Sequence, residues 1–253
     1  MSIIIKKYKL LIVLLVLFCS CSKNNKAISY NQYLQLTNTY LHNTNSFTQG
    51  LFLYNNELYE TTGLYGQSYV YKNINIDNNL PDKFIKLDNS YFGEGSTIFN
   101  NKLYVLTWKE YKVLVYNPNT LDLIKIINYN HEGWGLTTDG NYLIASDGTS
   151  KIYFMDEKLN DIKSIVVKFN NDEVHNLNEL EYINGYIWAN IWESNNVAII
   201  NPQTGDVIKM LDFSNLVPLN LNKDDVLNGI AYDNHKIYIT GKNWPYLFEF
   251  ILK

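Results

Sequence analysis

Residues 51–62 read LFLYNNELYETT, and this short stretch decides the fold. Two runs that suit β-strands, 51–54 and 58–62, flank the pair Asn55-Asn56. Such runs, separated by turn-forming residues, are typical of consecutive antiparallel strands. The same alternation of short apolar runs with Asn, Asp and Gly turns continues along the chain, and long helical periodicity is absent. The sequence therefore predicts an all-β protein.

The second run belongs to a unit that occurs five times. Its recurring dipeptides are Leu58-Tyr59, Leu103-Tyr104, Leu143-Ile144, Ile187-Trp188 and Ile237-Tyr238. The spacings between them are 45, 40, 44 and 50 residues. A period of about 40 to 50 residues that holds four strands is typical of a propeller blade. The sequence therefore predicts a five-bladed β-propeller over residues 31–253.

The last unit lacks one strand. The first blade is predicted to hold strands at 51–54, 58–62, 68–71 and 83–87, but the chain ends after the third strand of the fifth unit. The strand-like segment 32–41 precedes the first blade. We expect this segment to pair into the last blade and close the ring, which removes open sheet edges. The alternative is an N-terminal extension unrelated to the ring.

Residues 1–20 have the layout of an export signal. Three lysines precede an apolar run over residues 10–18, which is too short for a comfortable membrane span. The stretch 18–22 (FCSCS) resembles a bacterial lipoprotein signal, with Cys21 as the acylated residue, although Phe18 and Cys19 depart from the commonest pattern. The alternative is a plain cleaved secretory signal.

Both interpretations of the N-terminus predict an exported protein. With acylation, the chain is a lipoprotein that faces the periplasm or the cell exterior and contacts the membrane through its lipid anchor only. The polar residues 21–30 are then a short tether.

Cys19 and Cys21 are the only cysteines, so the mature domain has no disulfide, thiol nucleophile or cysteine metal site. The net charge of −4 argues against a nucleic-acid partner, and we expect a monomer.

Two sets of positions are equivalent in the five units. Counting back nine residues from each dipeptide gives Gln49, Glu94, Trp134, Asn178 and Asn228. Counting forward five gives Gly63, Trp108, Gly148, Trp192 and Lys242. Because the first two strands of a blade are antiparallel, the start of one and the end of the other lie on the same rim. Indole and polar groups are therefore expected to meet at one mouth of the channel, as in a small-ligand site.

Each of these residues also has a plainer interpretation. Asn, Gln and Glu in turns usually bond local backbone or face water. Trp at a strand end often packs one blade against the next, and Lys242 taken alone suits a solvated surface. The shared position in five repeats favours the site, because structural equivalence alone selects similar residues rather than this varied set.

A series of motifs resembles the plant and bacterial glutaminyl cyclases. In order, they are 47–50 (FTQG), 59–68 (YETTGLYGQS), 92–95 (FGEG), 106–109 (LTWK), 132–135 (EGWG), 146–149 (SDGT), 177–181 (LNELE), 188–190 (WAN), 226–231 (VLNGIA) and 240–242 (TGK). The resemblance implies a five-bladed propeller that cyclises N-terminal glutamine of peptides or proteins to pyroglutamate. It implies these functional residues: Phe47, Gln49, Phe92, Glu94, Trp108, Trp134, Asn178, Trp192 and Lys242. The animal-type glutaminyl cyclase, a zinc enzyme on another fold, is not what the chain resembles.

Cyclisation needs a proton relay but no enzymatic nucleophile, because the substrate supplies its own amine. Glu94 is our candidate for the relay, and nearby indoles should raise its pKa, whereas Lys242 should oppose that rise. Gln49 and Asn178 have amide donors suited to an oxyanion. No cofactor is required by this chemistry.

The sequence leaves a metal and two other functions open. The four histidines lack paired metal-ligand spacing, while Asp147 and Glu181 could help to hold a structural calcium ion. One rival is a non-catalytic lipoprotein whose propeller binds peptides or glycans. The other is a calcium-dependent propeller lactonase. Such an enzyme requires several Asp or Glu residues at the equivalent positions around the channel, where only Glu94 is found.

Overall fold

The structure, a computed structural model, describes residues 26–233 and 235–253. The predicted signal peptide and Cys21 lie outside the described residues. In chain order, the strands are β1 (Ile28–Ser29), β2 (Leu34–Leu41), β3 (Thr48–Tyr54), β4 (Glu57–Thr62), β5 (Tyr69–Asn75), β6 (Leu80–Lys86), β7 (Gly93–Phe99), β8 (Lys102–Thr107), β9 (Lys112–Tyr116), β10 (Leu123–Asn128), β11 (Leu136–Thr138), β12 (Leu143–Ser146), β13 (Lys151–Met155), β14 (Asp161–Val166), β15 (Lys168–Phe169), β16 (Asp172–Glu173), β17 (Leu177–Ile183), β18 (Tyr186–Ile191), β19 (Asn196–Ile200), β20 (Val207–Asp212), β21 (Leu227–Tyr232), β22 (Lys236–Gly241) and β23 (Tyr246–Leu252).

Helical structure is confined to two short 3-10 turns, Tyr30–Gln32 and Ser214–Leu216, within the part of the chain that the structure describes. None of the helices among these residues is long and apolar enough to cross a membrane.

Five sheets of antiparallel strands form the blades. Blades 1 to 4 are β3–β6, β7–β10, β11–β14 and β17–β20, and blade 5 is β21, β22, β23 and β2. The innermost strands contact one another in the cyclic order β3, β7, β11, β17, β21 and back to β3. The sheets are thus arranged around one axis, and the predicted five-bladed propeller is confirmed.

The outer strand of blade 5 comes from the N-terminal part of the chain. Strand β2 pairs antiparallel with β23, from Leu34 opposite Leu252 to Leu41 opposite Tyr246. The paired strand begins two residues later than the predicted segment 32–41. Strand β1, at the end of the segment expected to be a tether, pairs in parallel with β20 of blade 4. Strands β1 and β2, which precede the first blade in the sequence, therefore both belong to the propeller.

The turns explain why these short runs become hairpins. Asn55 and Asn56 have φ values of 52° and 64°, and the equivalent Asn100 and Asn101 have 48° and 57°. Two consecutive residues with positive φ form the turn whose twist matches that of paired strands, and Asn tolerates this conformation. The Asn pair inside the opening stretch thus sets the register of β3 and β4.

The core lies between the blades. Strands β4 and β8 are buried on both faces after their first residue, because blades pack face to face. The recurring aromatic residues Tyr59 and Tyr104 are completely or almost completely buried there. The outer strands β6 and β10 are mostly exposed. The residues that recur in the sequence are therefore the ones that pack adjacent blades together. This packing holds the ends of the five inner strands around the axis.

Candidate functional site

One rim of the channel opens into a cavity of about 390 Å³. The lining residues are Phe47, Gln49, Leu64, Phe92, Glu94, Trp108, Lys109, Glu132, Trp134, Asn178, Trp192, Asp224 and Lys242. All nine residues that the sequence predicts for substrate binding and catalysis are among them. Their functional roles stay predictions, but their convergence on one rim is an observed feature of the structure.

β-bulges at the start of three inner strands direct the polar side chains of the cavity toward the rim. The register of β3 against β4 shifts between Thr48 and Gly50, so that Gln49 lies in a bulge. Corresponding shifts occur between Gly93 and Ser96 and between Leu177 and Leu180, around Glu94 and Asn178. A β-bulge bends its strand and re-aims a side chain that regular alternation would direct elsewhere. The bulges thus bring amide and carboxyl groups from three blades to one mouth.

Two glycines make room for aromatic rings. A Cβ on Gly63 would lie 2.4 Å from Cε1 of Phe92, and one on Gly148, where φ is +78°, would lie 2.6 Å from the Trp134 ring. These glycines occupy the positions where other blades carry Trp108, Trp192 and Lys242. Phe92, before the first strand of blade 2, thus packs over Gly63 of blade 1, whereas Trp134 packs over Gly148 within blade 3.

The aromatic residues form two walls. On the side of blades 1 and 2, the Phe92 ring lies 6.2 Å from that of Phe47 and 5.4 Å from that of Trp108, measured between centroids. On the side of blades 3 and 4, Trp134 and Trp192 meet edge to face at 5.8 Å. The walls bound a space suited to the methylene groups of a small substrate.

A hydrogen-bonded chain of side chains crosses the polar floor. Asn228 Nδ2 donates to Gln49 Oε1 at 3.2 Å, and Gln49 Nε2 donates to Glu94 Oε1 at 3.0 Å. Beside it, the buried Asn178 Oδ1 has no hydrogen-bond partner among the described residues. An unpaired buried acceptor is costly in free energy, so this oxygen lacks a bond that buried polar atoms usually make.

Burial controls the charge of the two ionisable groups in the interior. Glu94 and Lys242 are each only 4% exposed. Burial raises the pKa of Glu94 well above its ordinary value, Lys242 opposes this rise, and Glu110 and Glu132 add to it. Burial lowers the pKa of Lys242 to about 8, against the attraction of Glu94 and Asp224. At both groups the effect of burial on the pKa exceeds the opposing effect of the partner's charge.

The sequence analysis missed four lining residues: Leu64, Lys109, Glu132 and Asp224. The first three lie inside quoted motifs, so the motifs carried a signal that the counting of equivalent positions did not use. Lys109 Nζ lies 4.1 Å from the Trp108 ring centroid, and Glu132 Oε2 accepts a hydrogen bond from Trp134 Nε1 at 3.4 Å. Asp224 comes from the long loop before β21, which has no counterpart in the repeat.

The predicted calcium ligands have separate partners. Asp147 accepts hydrogen bonds from Thr149 and from the Tyr153 hydroxyl. Glu181 accepts from Thr137 Oγ1 and from the Tyr232 amide. No group of three or more His, Asp or Glu side chains placed to hold a metal occurs within residues 26–233 and 235–253. A bound calcium ion stays a prediction.

His131, one of the four histidines, does not line the cavity. Its ring stacks on Tyr153 at 3.8 Å and Nε2 bonds Asp161 at 3.0 Å. This histidine thus has a packing role in blade 3, because its neighbours along the strand edge are aromatic and acidic.

Comparisons with known proteins agree with this geometry. A family model described as glutamine cyclotransferase matches residues 10–252. A glutaminyl-peptide cyclotransferase of Arabidopsis thaliana is 40% identical over 221 residues, which are 84% of this chain and 69% of that protein. The crystal structure of Myxococcus xanthus glutaminyl cyclase matches with a TM-score of 0.81 and 33% identity over 87% of this chain and 96% of that chain.

A more distant match shares the fold alone. The virginiamycin B lyase of Staphylococcus aureus gives a TM-score of 0.50 at 10% identity, over 87% of this chain and all of that chain. The family model covers most of the chain, and the Arabidopsis and Myxococcus relatives are 40% and 33% identical to it, so the chain belongs to the glutamine cyclotransferase family.

Proposed function

We propose that the chain is a glutaminyl-peptide cyclotransferase, which converts the N-terminal glutamine of a peptide or protein to pyroglutamate and releases ammonia. Family membership supports the activity. The observation that carries the mechanism is the placement of Glu94, a buried carboxyl group with a raised pKa, among amides and indoles in a cavity of about 390 Å³. A cavity of that volume is within the range of small-molecule sites.

The reaction joins two atoms of one residue. The α-amino nitrogen attacks the γ-carboxamide carbon, a carbon–nitrogen bond forms, and the amine gives up a proton. The tetrahedral intermediate then expels the carboxamide nitrogen, which leaves as ammonia after taking a proton. Atoms balance without water or any other reactant, so the enzyme must fold the substrate and move one proton.

Glu94 performs this proton transfer. As a carboxylate it accepts the proton from the attacking amine, and as a carboxylic acid it returns the proton to the departing nitrogen. A relay works best when its pKa is near the working pH. Burial raises the pKa of Glu94 in that direction, and the charge of Lys242 opposes that rise.

The remaining polar groups stabilise charge and orient the carboxamide. Gln49 Nε2 uses one hydrogen on Glu94 and has a second for the substrate. Lys242, whose Nζ lies 4.5 Å from the Phe47 ring centroid, supplies positive charge where the oxyanion develops. The unpaired Asn178 Oδ1 suits an amine or carboxamide N–H. The indoles exclude water and pack against the methylenes.

The decisive experiment replaces the relay. We expect Glu94→Gln to lower kcat for ammonia release from a Gln-initiated dipeptide by about 10² to 10⁴, with an unchanged melting temperature. Glu181→Gln is the matched control, because Glu181 is also buried with a pKa raised to about 8 but faces a separate cavity at the other end of the channel. Near-normal turnover by Glu94→Gln would remove Glu94 from the mechanism.

Two rivals are tested by the same assay. A chelator should leave ammonia release intact, because none of the steps above uses a metal. Activity that disappears with chelator would favour the metal-dependent lactonase class. Binding of peptides or glycans without turnover would favour a non-catalytic propeller.

The location of the enzyme rests on the sequence of its first residues. We propose that the chain is exported from a bacterial cell, acylated on Cys21 and held at the membrane by that lipid as a monomer. Its substrates are then peptides and proteins outside the cytoplasm. Cys21→Ser should move the protein from the membrane fraction to the soluble fraction, whereas a plain secretory signal predicts a soluble protein in both cases.

A further inference from the structure

Asn228 lies beneath the cavity and outside its lining. It is completely buried at the start of β21, in the bulge between Leu227 and Ile230. Its Nδ2 donates two hydrogen bonds, to the Thr48 carbonyl at 2.9 Å and to Gln49 Oε1 at 3.2 Å. Asn228 thus connects the last blade to the first, directly below the polar floor.

These bonds fix which way two side-chain amides point. The Thr48 carbonyl can only accept, so the atom of Asn228 that faces it must be the nitrogen. The same nitrogen faces Gln49, and therefore Gln49 must turn its oxygen toward Asn228. The nitrogen of Gln49 is then left to face Glu94, as observed.

The orientation of Gln49 decides which oxygen of Glu94 can carry the proton. Glu94 Oε1 accepts the hydrogen bond from Gln49 at 3.0 Å, so a proton on that oxygen would collide with the N–H of the amide. Oε2 is left to take and return the proton. With Gln49 reversed, an amide oxygen would face Glu94 Oε1 and hold a proton there, which would remove Glu94 as a base.

Asn228 forms its side-chain hydrogen bonds through its Nδ2 donor alone. Its Oδ1 is buried without a hydrogen-bond partner among the described residues. A half-satisfied buried amide is unfavourable for stability, so stability alone does not account for Asn at this position. Buried unpaired groups of this kind in a native structure often accompany a functional constraint.

We propose that Asn228 is a positioning residue, which acts through the amide of Gln49 to keep the proton-transferring atom of Glu94 at Oε2. This inference rests on the proposed function, since it assumes that Glu94 is the relay. Asn228 touches neither the substrate nor the reacting atoms. Its effect is transmitted by the two hydrogen bonds that link it to Glu94.

The first test replaces the donor by an acceptor of the same shape. In Asn228→Asp, the oxygen that replaces Nδ2 has at most one proton, and the Thr48 carbonyl, which can only accept, requires it. The same oxygen then faces Gln49 as an acceptor, and Gln49 must reverse its amide to donate to it. We expect kcat to fall about 10- to 100-fold, as for loss of a correctly placed acid–base group. The acid limb of the pH profile of kcat/KM should move to higher pH, because the reversed amide stabilises protonated Glu94, while KM changes little.

Asn190→Asp is the matched control. Asn190 is also completely buried, and its Oδ1 accepts a hydrogen bond from the Gly229 amide at 3.0 Å, while its Nδ2 has no partner among the described residues. The change therefore places a carboxyl group against Gly229, the residue next to Asn228 in the same bulge, and its Oδ1 partner is the Gly229 amide rather than Gln49. We expect it to lower the melting temperature but to leave the acid limb in place.

A double-mutant cycle separates positioning from simple damage. Gln49→Met keeps the side-chain length but removes both hydrogen bonds, so in that background Asn228→Asp should lower kcat by no more than about twofold further. An equal loss in both backgrounds, or an equal pH shift in Asn190→Asp, would overturn the proposal. Asn228→Ala provides a second variant without a buried charge, and failure of both Asn228 variants to fold would show a structural role instead.

The proposed function fails differently. It fails if the wild-type chain releases no ammonia from a Gln-initiated dipeptide or if Glu94→Gln turns over normally. The positioning role fails when both of those results support the enzyme and the cycle is nevertheless additive.

Discussion

Glu94 and Lys242 are a buried pair in which each group favours the charged form of the other. Burial raises the pKa of Glu94 and lowers that of Lys242 to about 8, and their mutual attraction opposes both shifts. At the residue scale, the activity at a given pH thus depends on how much of Glu94 stays ionised. That fraction can be changed at Lys242 without touching the relay itself.

The first residue-scale prediction removes this opposing charge. In Lys242→Met, the pKa of Glu94 should rise further, because burial is then no longer opposed by a cation. The acid limb of the pH profile of kcat/KM, which reports the relay in the free enzyme, should move to higher pH. Lys109→Met is the control, since Lys109 is exposed and lies over Trp108; a limb that stays in place in both variants contradicts the prediction.

The second residue-scale prediction concerns the glycine under Trp134. Gly148→Ala places a Cβ 2.6 Å from the indole, and at φ +78° it also strains the backbone. We expect the displaced indole to raise KM about tenfold, which corresponds to about 1.4 kcal/mol of lost binding. Gly140→Ala is matched in backbone strain, with φ +85°, but its Cβ meets nothing within 4 Å. Steady-state kinetics should therefore show a raised KM for Gly148→Ala alone. Equal KM values in the two variants would contradict a role of Gly148 in placing the Trp134 ring.

At the element scale, a buried ion pair joins the segment between β2 and β3 to the neighbouring strands. His42 Nδ1 donates to the Trp244 carbonyl at 2.9 Å, and Nε2 donates to Glu60 Oε1 at 3.1 Å. Because both ring nitrogens face acceptors, the geometry favours the cationic form of the ring. Burial lowers the pKa of His42, but the charge and hydrogen bond of Glu60 and the Trp244 carbonyl together raise it above its ordinary value.

This pair should make stability depend on pH. A raised folded-state pKa means that the contribution of His42 is fully present below the unfolded value of about 6.5 and is lost as pH rises through the folded value. His42→Gln should therefore cost about 3 to 5 kcal/mol of unfolding free energy near pH 6, and the cost should shrink toward pH 9. Urea unfolding of both chains at several pH values measures it.

A surface pair provides the comparison for this pH dependence. His131 bonds Asp161 at 3.0 Å, but the side chain of Asp161 is 43% exposed. Loss of the ion pair in His131→Gln should therefore cost no more than about 1 kcal/mol, apart from the stacking of the ring on Tyr153. A cost for His42→Gln that is constant from pH 6 to 9 would contradict a charged His42.

Sequence alone predicted the elements well wherever the repeat applies. The dipeptide spacing gave the number of blades, and the equivalent positions located Gln49, Glu94 and Asn178 on one rim, because a repeated fold places equivalent residues at equivalent points around its axis. Strand ends differed by a few residues, since hydrogen-bond pairing extends past the apolar run. The first blade's outer strand, for example, is Leu80–Lys86 rather than 83–87.

Features outside the repeat could not be predicted in this way. The pairing of β1 with β20, the approach of Asp224 to the cavity and the contact of His42 with Glu60 depend on loops that occur once. The orientation of the Gln49 amide depends on hydrogen bonds from a residue 179 positions away along the chain. Sequence patterns report periodic burial, but they carry no information about which end of an amide faces a neighbour.

At the scale of the whole molecule, Leu34 connects ring closure to the stability of all blades. It lies in β2, is completely buried, and belongs to a core cluster with Trp188 of blade 4 and Phe250 of blade 5. Because each blade packs on two neighbours, loosening the closing strand weakens blades on both sides of the seam. The ring should therefore unfold as one unit.

Leu34→Ala tests this cooperativity. Loss of a buried Leu side chain costs about 2 to 5 kcal/mol, which lowers the melting temperature of a chain of this size by about 5 to 15 °C. Leu36→Ala, on the same strand but at a residue that is 40% exposed, should cost about 0.5 kcal/mol or less. Far-UV circular dichroism and the fluorescence of the cavity indoles should shift together in Leu34→Ala. If the fluorescence transition stays at the wild-type temperature while part of the circular dichroism signal is lost earlier, the blades unfold independently and closure by β2 protects only its own blade.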